Sequence, residues 1–430
     1  MQFGSARLVP SAGPVTMGRL ESRFHEEARH RMSDSLLHMI DDVLPAVTEL
    51  RHALHAHPEA SFEEHETARR VREALAKVDG LKVYPPFVGT DVVAVLNEGR
   101  DGPCLALRAD MDALPIEEAA DASELPYRST IPGKMHACGH DGHTAMLVGT
   151  AMVLAKMAKD LPGKVVFVFQ PAEEEGGGGR KVCEAGVVEK LGVQAIIAQH
   201  AWPTETVGQF ALRPGLAMAS NSPFYITVRG KGTHGAYPHR GIDPVMVAAH
   251  IIVALQTVVS RTVNPLEAAV VSVGHIAAGK ATNIIPDACE MNGTIRYLEP
   301  EVGEHVKTKM REIVEHTARA HCATAELRIE QGYPTTINDE TMSRLVEQTA
   351  KDLYGPDAIN MNEPASMGVE DFSYYGQKVP AVMYRLGIRP KDCDSYPALH
   401  NPGFNFNDEA APIGIRMFCE LTKRYLAGRQ

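Results

Sequence analysis

The chain is short of positive charge. Lysine and arginine total 43 against 54 aspartates and glutamates in 430 residues, a formal net charge of −11. An acidic surface repels a phosphate backbone, so nucleic-acid partners are disfavoured. A long uninterrupted apolar run is also missing. The best, residues 145–155, stops at Lys156, well short of the ~20 residues that span a bilayer. Cysteines number seven, odd and thinly spread, which argues against a disulfide framework and for a reducing compartment. There is no internal repeat, and the four glycines at 176–179 are the only low-complexity tract. What is present is globular: 44% hydrophobic and 23% charged residues, in a chain too long for one core of ~100–200 residues. A soluble, cytoplasmic protein of two domains with no membrane partner is expected.

Residues 1–33 mix Gly, Ser, Pro and both charges without a sustained apolar stretch. They are expected to be a disordered extension or a remnant foreign to the protein, not a secretory signal. The first helix is expected after Ser33 or Asp34, where Leu36, Leu37, Ile40, Val43, Leu44 and Leu50 recur at helical spacing. Buried strands then read at 92–96, 104–110, 164–170 and 193–200, with an apolar helix over 143–159. That alternation predicts an α/β fold, a mostly parallel sheet flanked by helices, with chemistry at the carboxyl ends of the strands. Asp110, Gln170 and His200 stand at three such ends.

After residue 221 the rhythm becomes β-α-β-β-α-β, the split βαβ order of ferredoxin-like domains. Helices at 340–354 and 409–426 and a strand at 379–387 then return to the first pattern. Residues 221–332 therefore read as an α+β insert in a discontinuous domain of residues 34–220 and 333–430.

The densest chemistry is MHACGHDGH at 135–143. Thiolate and imidazole suit Zn, Co, Ni, Mn or Fe, although a histidine-rich loop taken alone is more often surface or packed histidines. In QPAEEEGGGG, 170–179, three glutamates follow an apolar strand. They are either a solvated loop or a pair in which one carboxylate binds metal while its neighbour acts as a general base. Consecutive side chains point differently, so two glutamates divide roles that one cannot combine. His200 and His400 are each a structural histidine or a further ligand.

Together, RADMDALP (108–115), MHACGHDGHTA (135–145), QPAEE (170–174), His200, SMGVEDFS (366–373) and HNPGF (400–404) carry a resemblance. With the opening RHALHAHPEASFEEHETA (51–68), they resemble a metallo-amidohydrolase branch of the aminoacylase/carboxypeptidase-like zinc-peptidase superfamily. That branch holds hippurate, N-acyl-amino-acid and auxin–amino-acid conjugate hydrolases. The likeness spans residues 36 to 428. It implies metal ligands Cys138, His140, Glu174, His200 and His400, with Glu173 as general base. Five ligands exceed what one tetrahedral ion takes, so two divalent ions (Zn, Mn, Co or Ni) sharing a bridging thiolate are implied.

One departure stands out. The wider superfamily begins its first motif with His-x-Asp, whereas this chain has Arg108-Ala109-Asp110. A guanidinium has no lone pair to give a metal. The resemblance implies that Cys138 takes over that role, which leaves Asp110 to orient ligands from behind. Outer or packing roles are expected for His136, Asp141 and His143. Glu370 and Asp371 are expected at a helix start lining the cleft, beside substrate or behind His400.

The insert carries KGTHGAYPHRG (231–241), ATNIIPD (281–287) and GTIR (293–296), which resemble the family's lid motifs. By that likeness the lid dimerises, His234 reaches the partner's site to polarise the scissile carbonyl, and Asn283 and Arg296 hold the substrate carboxylate. His239 reads as a loop residue. The implied activity is hydrolysis of N-acyl amino acids, hippurate-like, by a homodimer. Two alternatives remain. A dipeptidase or carboxypeptidase would share the centre but needs an acidic clamp for a free amine, and none is evident. A non-catalytic metal-dependent binding protein would have no use for Glu173.

Overall fold

A computed structural model describes residues 17–428 apart from residues 122 and 124, with side chains from residue 34 onward. The first helix runs Met17–His55, so helix begins well before Ser33. Residues 1–16 of the expected extension lie outside the described residues. From Leu36 the helix buries Leu36, Ile40, Val43, Val47 and Leu54, a stripe at helical spacing facing the main core.

That core rests on an eight-stranded sheet. Its middle strands are Lys164–Gln170, Cys104–Asp110, Ala195–Thr206 and Ala381–Arg389, in that spatial order and mutually parallel. All seven residues of Cys104–Asp110 are buried, as a strand covered on both faces requires. Val92–Leu96, read above as part of the parallel rhythm, pairs antiparallel with Lys164–Gln170 and carries the edge strand Leu81–Val83. One face is covered by the first helix, His140–Lys156 and Ala411–Leu426, the other by Gly178–Glu184, Val187–Leu191 and Ser373–Gly376.

Asp110 and Gln170 end their strands as expected, but His200 does not. Its strand continues to Thr206, because Ala381–Arg389 pairs alongside it with Arg385 opposite His200 and Arg389 opposite Thr206.

A second sheet has its own core. Ala269–Ala278, Ala288–Tyr297, Ser220–Arg229 and Thr324–Ile329 lie side by side in that order, every pair antiparallel. This is the ferredoxin-like arrangement. Phe224, Ile226 and Val228 alternate inward against helices Pro244–Thr257 and Pro300–Ala320. Asp243 caps the first of these by accepting from Val245 N–H at 2.9 Å. The helical stretch Pro244–Thr262 has an 18-residue window of mean hydropathy 1.5, long and apolar enough for a membrane span by those measures alone. His250 and Gln256 interrupt it in sequence. Here Val247, Ala248, Ile251, Leu255 and Val258 pack on the lid sheet.

The chain enters this unit through Gly215–Met218 and leaves through Thr336–Asn338, and those two strands pair antiparallel as a separate ribbon.

Candidate metal centre

The site grows from two strand ends and one helix start. Gly139, at φ +84°, turns the chain between Cys138 and the helix His140–Lys156; a Cβ there would press on Ala201 at 3.2 Å. Helix therefore starts at His140, three residues earlier than the sequence pattern indicates. The turn makes the Cys-x-His spacing work, because Cys138 stays outside the helix while His140 opens it.

Each histidine declares its role by its hydrogen bonds. His140 Nδ1 donates to the Asp112 carbonyl at 2.9 Å, while its buried Nε2 has no hydrogen-bond partner. His200 Nδ1 donates to the Ala201 carbonyl at 2.8 Å, and its Nε2 lies 3.5 Å from Cys138 Sγ. A backbone acceptor on Nδ1 with a free lone pair on Nε2 is how proteins present imidazole to a metal. His143 differs: Nδ1 donates to Asp110 Oδ1 at 2.6 Å, and Nε2 accepts from Ala201 N–H at 2.8 Å, so neither nitrogen is free. His136 is buried with both ring nitrogens unpartnered, and burial pushes it down to about 4.

The glutamate loop is held from behind by two acids. Ala172 adopts a left-handed φ of +55°, unusual for a residue with a Cβ, and the Glu64 carboxylate accepts from Ala172 N–H at 2.8 Å and Thr90 Oγ1 at 2.7 Å. The Asp112 carboxylate accepts from Glu173 N–H at 3.1 Å, Glu174 N–H at 3.0 Å and Ser61 Oγ at 2.7 Å.

From this turn both glutamates bring an oxygen within 4.8 Å of a His140 nitrogen and of each other, but their other neighbours differ. Glu174 Oε1, which makes no hydrogen bond, lies 3.3 Å from His400 Nε2 and 3.9 Å from His140 Nε2. Glu173 gathers with Glu370 and Asp371, one oxygen of each within 4.8 Å of the others. His400 is half-exposed, sits at φ +61°, and is anchored through its N–H to the Ala137 carbonyl at 2.8 Å.

Arg108 fills the space behind. Fully buried, it donates to Asp110 at 2.6 Å, Gln170 at 3.0 Å, Glu370 at 3.0 Å and Asp371 at 3.1 Å. Asp110 is thus tied to Arg108 and His143, and its nearer oxygen is 3.8 Å from His140 Nε2. Orienting His140 falls to Asp112, one of two acids that the sequence reading missed. Asp112 stands inside RADMDALP, two residues past Asp110; Glu64 stands inside the opening motif, with no local signal of what it would grip. Glu370 and Asp371 precede the short helix Ser373–Gly376 and pair with Arg108; among the described residues no hydrogen bond or ion pair joins them to His400.

The electrostatics match this division. Burial, then Glu370 and Glu174, raises Glu173 well above the usual carboxylate range. Burial opposes charge on His140, yet Asp110 and Asp112 outweigh it and lift the group to about 10, so the Nε2 lone pair becomes available only when a cation displaces the proton. Burial, then Glu174, Glu173 and Asp110, holds the Cys138 thiol well up, so a thiolate there needs a cation. Two orphaned buried donor atoms, a thiol among carboxylates and the mixed S, N, O set all fit divalent cations. Cys138, Glu174 and His400 bring one donor atom each within 4.8 Å of one another, as do Asp110, His140, His143 and His200.

The lid residues stand apart. His234 and Asn283 are exposed and Arg296 is half-buried. His234 Nδ1 accepts from Ala236 N–H at 3.0 Å, which leaves Nε2 for another partner. The Asn283 carbonyl accepts from Gly235 N–H at 2.7 Å. Among the described residues, no hydrogen bond or ion pair ties these three to the Cys138 cluster. His239 lies in the short turn Pro238–Arg240, as a loop residue should.

Comparison with known proteins identifies the family. Residues 106–424 match the family described as Peptidase family M20/M25/M40. The chain is 40% identical over 372 residues to the N-acetylcysteine deacetylase of Bacillus subtilis, covering 86% of this chain and 94% of that protein. It is 37% identical over 390 residues to the IAA-amino acid hydrolase ILR1-like 5 of Arabidopsis thaliana, covering 90% and 88%. Among solved structures, a dinuclear metal-binding M20-family peptidase of Bacillus subtilis superposes with a TM-score of 0.78 at 36% identity, covering 90% of this chain and 99% of that one.

Proposed function

The chain belongs to peptidase family M20/M25/M40 and is a metal-dependent amidohydrolase, and we propose that it cleaves the amide bond of N-acyl amino acids, hippurate-like substrates included. The products are a carboxylic acid and a free amino acid. The observation that carries this reading is the company kept by two consecutive glutamates at one centre: both bring an oxygen within 4.8 Å of a His140 nitrogen, Glu174 also lies beside His400, and Glu173 also gathers with Glu370 and Asp371. A deacetylase and an amino-acid-conjugate hydrolase among the relatives support the substrate class.

The ligands are Cys138, His140, Glu174, His200 and His400, holding two divalent ions drawn from Zn, Mn, Co and Ni. When bound, such ions supply Lewis acidity, which eases deprotonation of a water and polarises a carbonyl. Glu173 takes the proton from the attacking water. Its raised affinity for protons, set by burial and by Glu370, suits a group that must hold that proton and then release it. It delivers the proton to the amide nitrogen as the C–N bond breaks. His234 of a second subunit donates to the developing oxyanion, and Arg296 with Asn283 grips the α-carboxylate. Asp110 and Arg108 keep the acids around Glu173 in register.

Residues 221–332 form the lid, which closes over substrate and excludes water. Homodimerisation through it is supported by apolar side chains left outside: Val245, Met246 and Val253 on its first helix, and Ile276 on the strand at the sheet's unpaired edge.

The test is a substrate panel. Metal-stripped protein is reloaded with Mn, Co, Zn or Ni and offered N-acetyl, N-benzoyl and indole-acetyl amino acids, their carboxamides and unblocked dipeptides. Turnover of N-acyl amino acids above the other two groups is expected. Faster cleavage of unblocked dipeptides makes the protein a peptidase, and turnover of nothing under any metal makes it a binding protein.

A further inference from the structure

The route from lid to base passes through one phenol. Tyr333 lies on the outgoing connector, between the last lid strand, Thr324–Ile329, and Thr336–Asn338. Its hydroxyl donates to the Glu173 carbonyl at 3.0 Å. Glu173 is thereby held at both ends of its backbone, at N–H by Asp112 and at C=O by a residue that belongs to neither sheet.

The backbone of Tyr333 is in turn locked to the start of the lid strand Ser220–Arg229. Its N–H donates to Asn221 Oδ1 at 2.6 Å, and its carbonyl accepts from Asn221 N–H at 3.1 Å and Ser220 Oγ at 2.7 Å. The outgoing connector is therefore fastened to the first lid strand at the residue that touches the glutamate loop. Asn221 is also the cross-strand neighbour of Arg296 in the lid sheet. A shift of the lid that moves this register moves Asn221 and, with it, the phenol. The ring is confined: Tyr374 packs edge-on at a centroid distance of 6.1 Å, and its hydroxyl donates to the Gly332 carbonyl at 3.1 Å.

We propose that Tyr333 is a positioning residue that couples the attachment of the lid to the orientation of Glu173 through its hydrogen bond to the Glu173 carbonyl. The proposal rests on Glu173 being the general base. Tyr333 touches neither the donor set nor, in this account, the substrate. Its effect therefore falls on the catalytic step, while metal content and ground-state binding stay as they were.

Two matched substitutions test it, because two phenol hydroxyls sit in this connector region and one alone reaches Glu173. Tyr333→Phe keeps the ring packing and should lower kcat roughly three- to tenfold, the net effect of one hydrogen bond, with KM within about twofold of the parent. Bound metal and melting temperature should not change. Tyr374→Phe, which loses only the bond to Gly332, should leave kcat within about twofold. The coupling is overturned if Tyr333→Phe leaves kcat unchanged, raises KM instead, sheds metal, or is matched by Tyr374→Phe. Glu173→Gln run in parallel separates the two layers. If it is inactive with metal bound while Tyr333→Phe equals the parent, the coupling alone fails. If Glu173→Gln remains active, the base assignment falls and takes the coupling with it.

Discussion

The residues around Cys138 and those of the lid are held in opposite ways. In the α/β layer nearly every polar group near the centre has a second tether: His140 and His200 through backbone carbonyls, the glutamate loop through Asp112 and Glu64, the acids through Arg108. On the lid, His234, Asn283 and Arg296 have one local bond or none that fixes the side chain. Preorganisation costs burial and needs neighbours, and only the first region has them. A site whose donors are locked beforehand is built to hold cations and a proton. Residues left free away from that layer fit the proposed roles of meeting a substrate or a second subunit.

That contrast orders the expected effects. Glu173→Gln should cost about 10²–10⁴-fold in kcat while keeping metal, since the amide takes no proton and the donor set is intact. Glu174→Gln should instead weaken metal binding, and excess metal should restore part of its activity. Metal analysis of both purified variants across a metal titration decides; the reverse pattern dissolves the division of roles. Asp112→Asn, one layer out, should lower metal affinity or kcat by roughly 10–100-fold, because it loosens both glutamates and the peptide behind His140. An unchanged metal titration with unchanged kcat would show that the tethers do not matter.

On the lid side, Arg296→Ala should raise KM by about one to two decades for substrates with a free α-carboxylate and far less for carboxamides. Equal losses for both would make Arg296 structural. The smallest effect on activity is expected from His55, which is buried between Asp141 and Glu118 at 2.8 and 2.9 Å. Burial opposes its charge, yet Asp141 and Glu118 raise it to about 9 from 6.5. A raised folded-state value stabilises fully below pH 6.5 and is lost as pH climbs through 9, at most about 3 kcal/mol. The melting temperature of the parent should therefore fall more steeply than that of His55→Gln between pH 6.5 and 9. Parallel curves would remove His55 from the stability of the helix start that carries His140.

Periodicity made the strands and helices legible where burial is one-sided or complete, as in Cys104–Asp110 and Phe224–Val228. It gave wrong ends where a partner strand or a glycine decides. His200 is mid-strand because Ala381–Arg389, some 180 residues later, pairs past it. The direction of Val92–Leu96 depends on a neighbour that its own residues do not encode. In the site, the proposed donors came from the family resemblance, because a histidine-rich loop or a glutamate run alone is more often a packed or solvated surface than a ligand set. Asp112, Glu64 and Tyr333 were not legible. Each acts through backbone atoms of a distant loop, and a carboxylate or phenol that grips a peptide group leaves no pattern in the residues it grips.

The proposal that the two regions bear on most directly is that each subunit of a homodimer owns its base and donor set but borrows its oxyanion histidine. Glu173→Gln and His234→Ala should each be nearly inactive alone, the second by about 10²–10³-fold. Co-expressed, half of the dimers are mixed, and each mixed dimer contains one site with Glu173 from one chain and His234 from the other. Specific activity should then recover to about a quarter of the parent's, given an isologous pair. A co-expressed sample that is dimeric by sizing yet as inactive as either variant alone would contradict the claim, and so would full activity of the unaltered protein as a monomer.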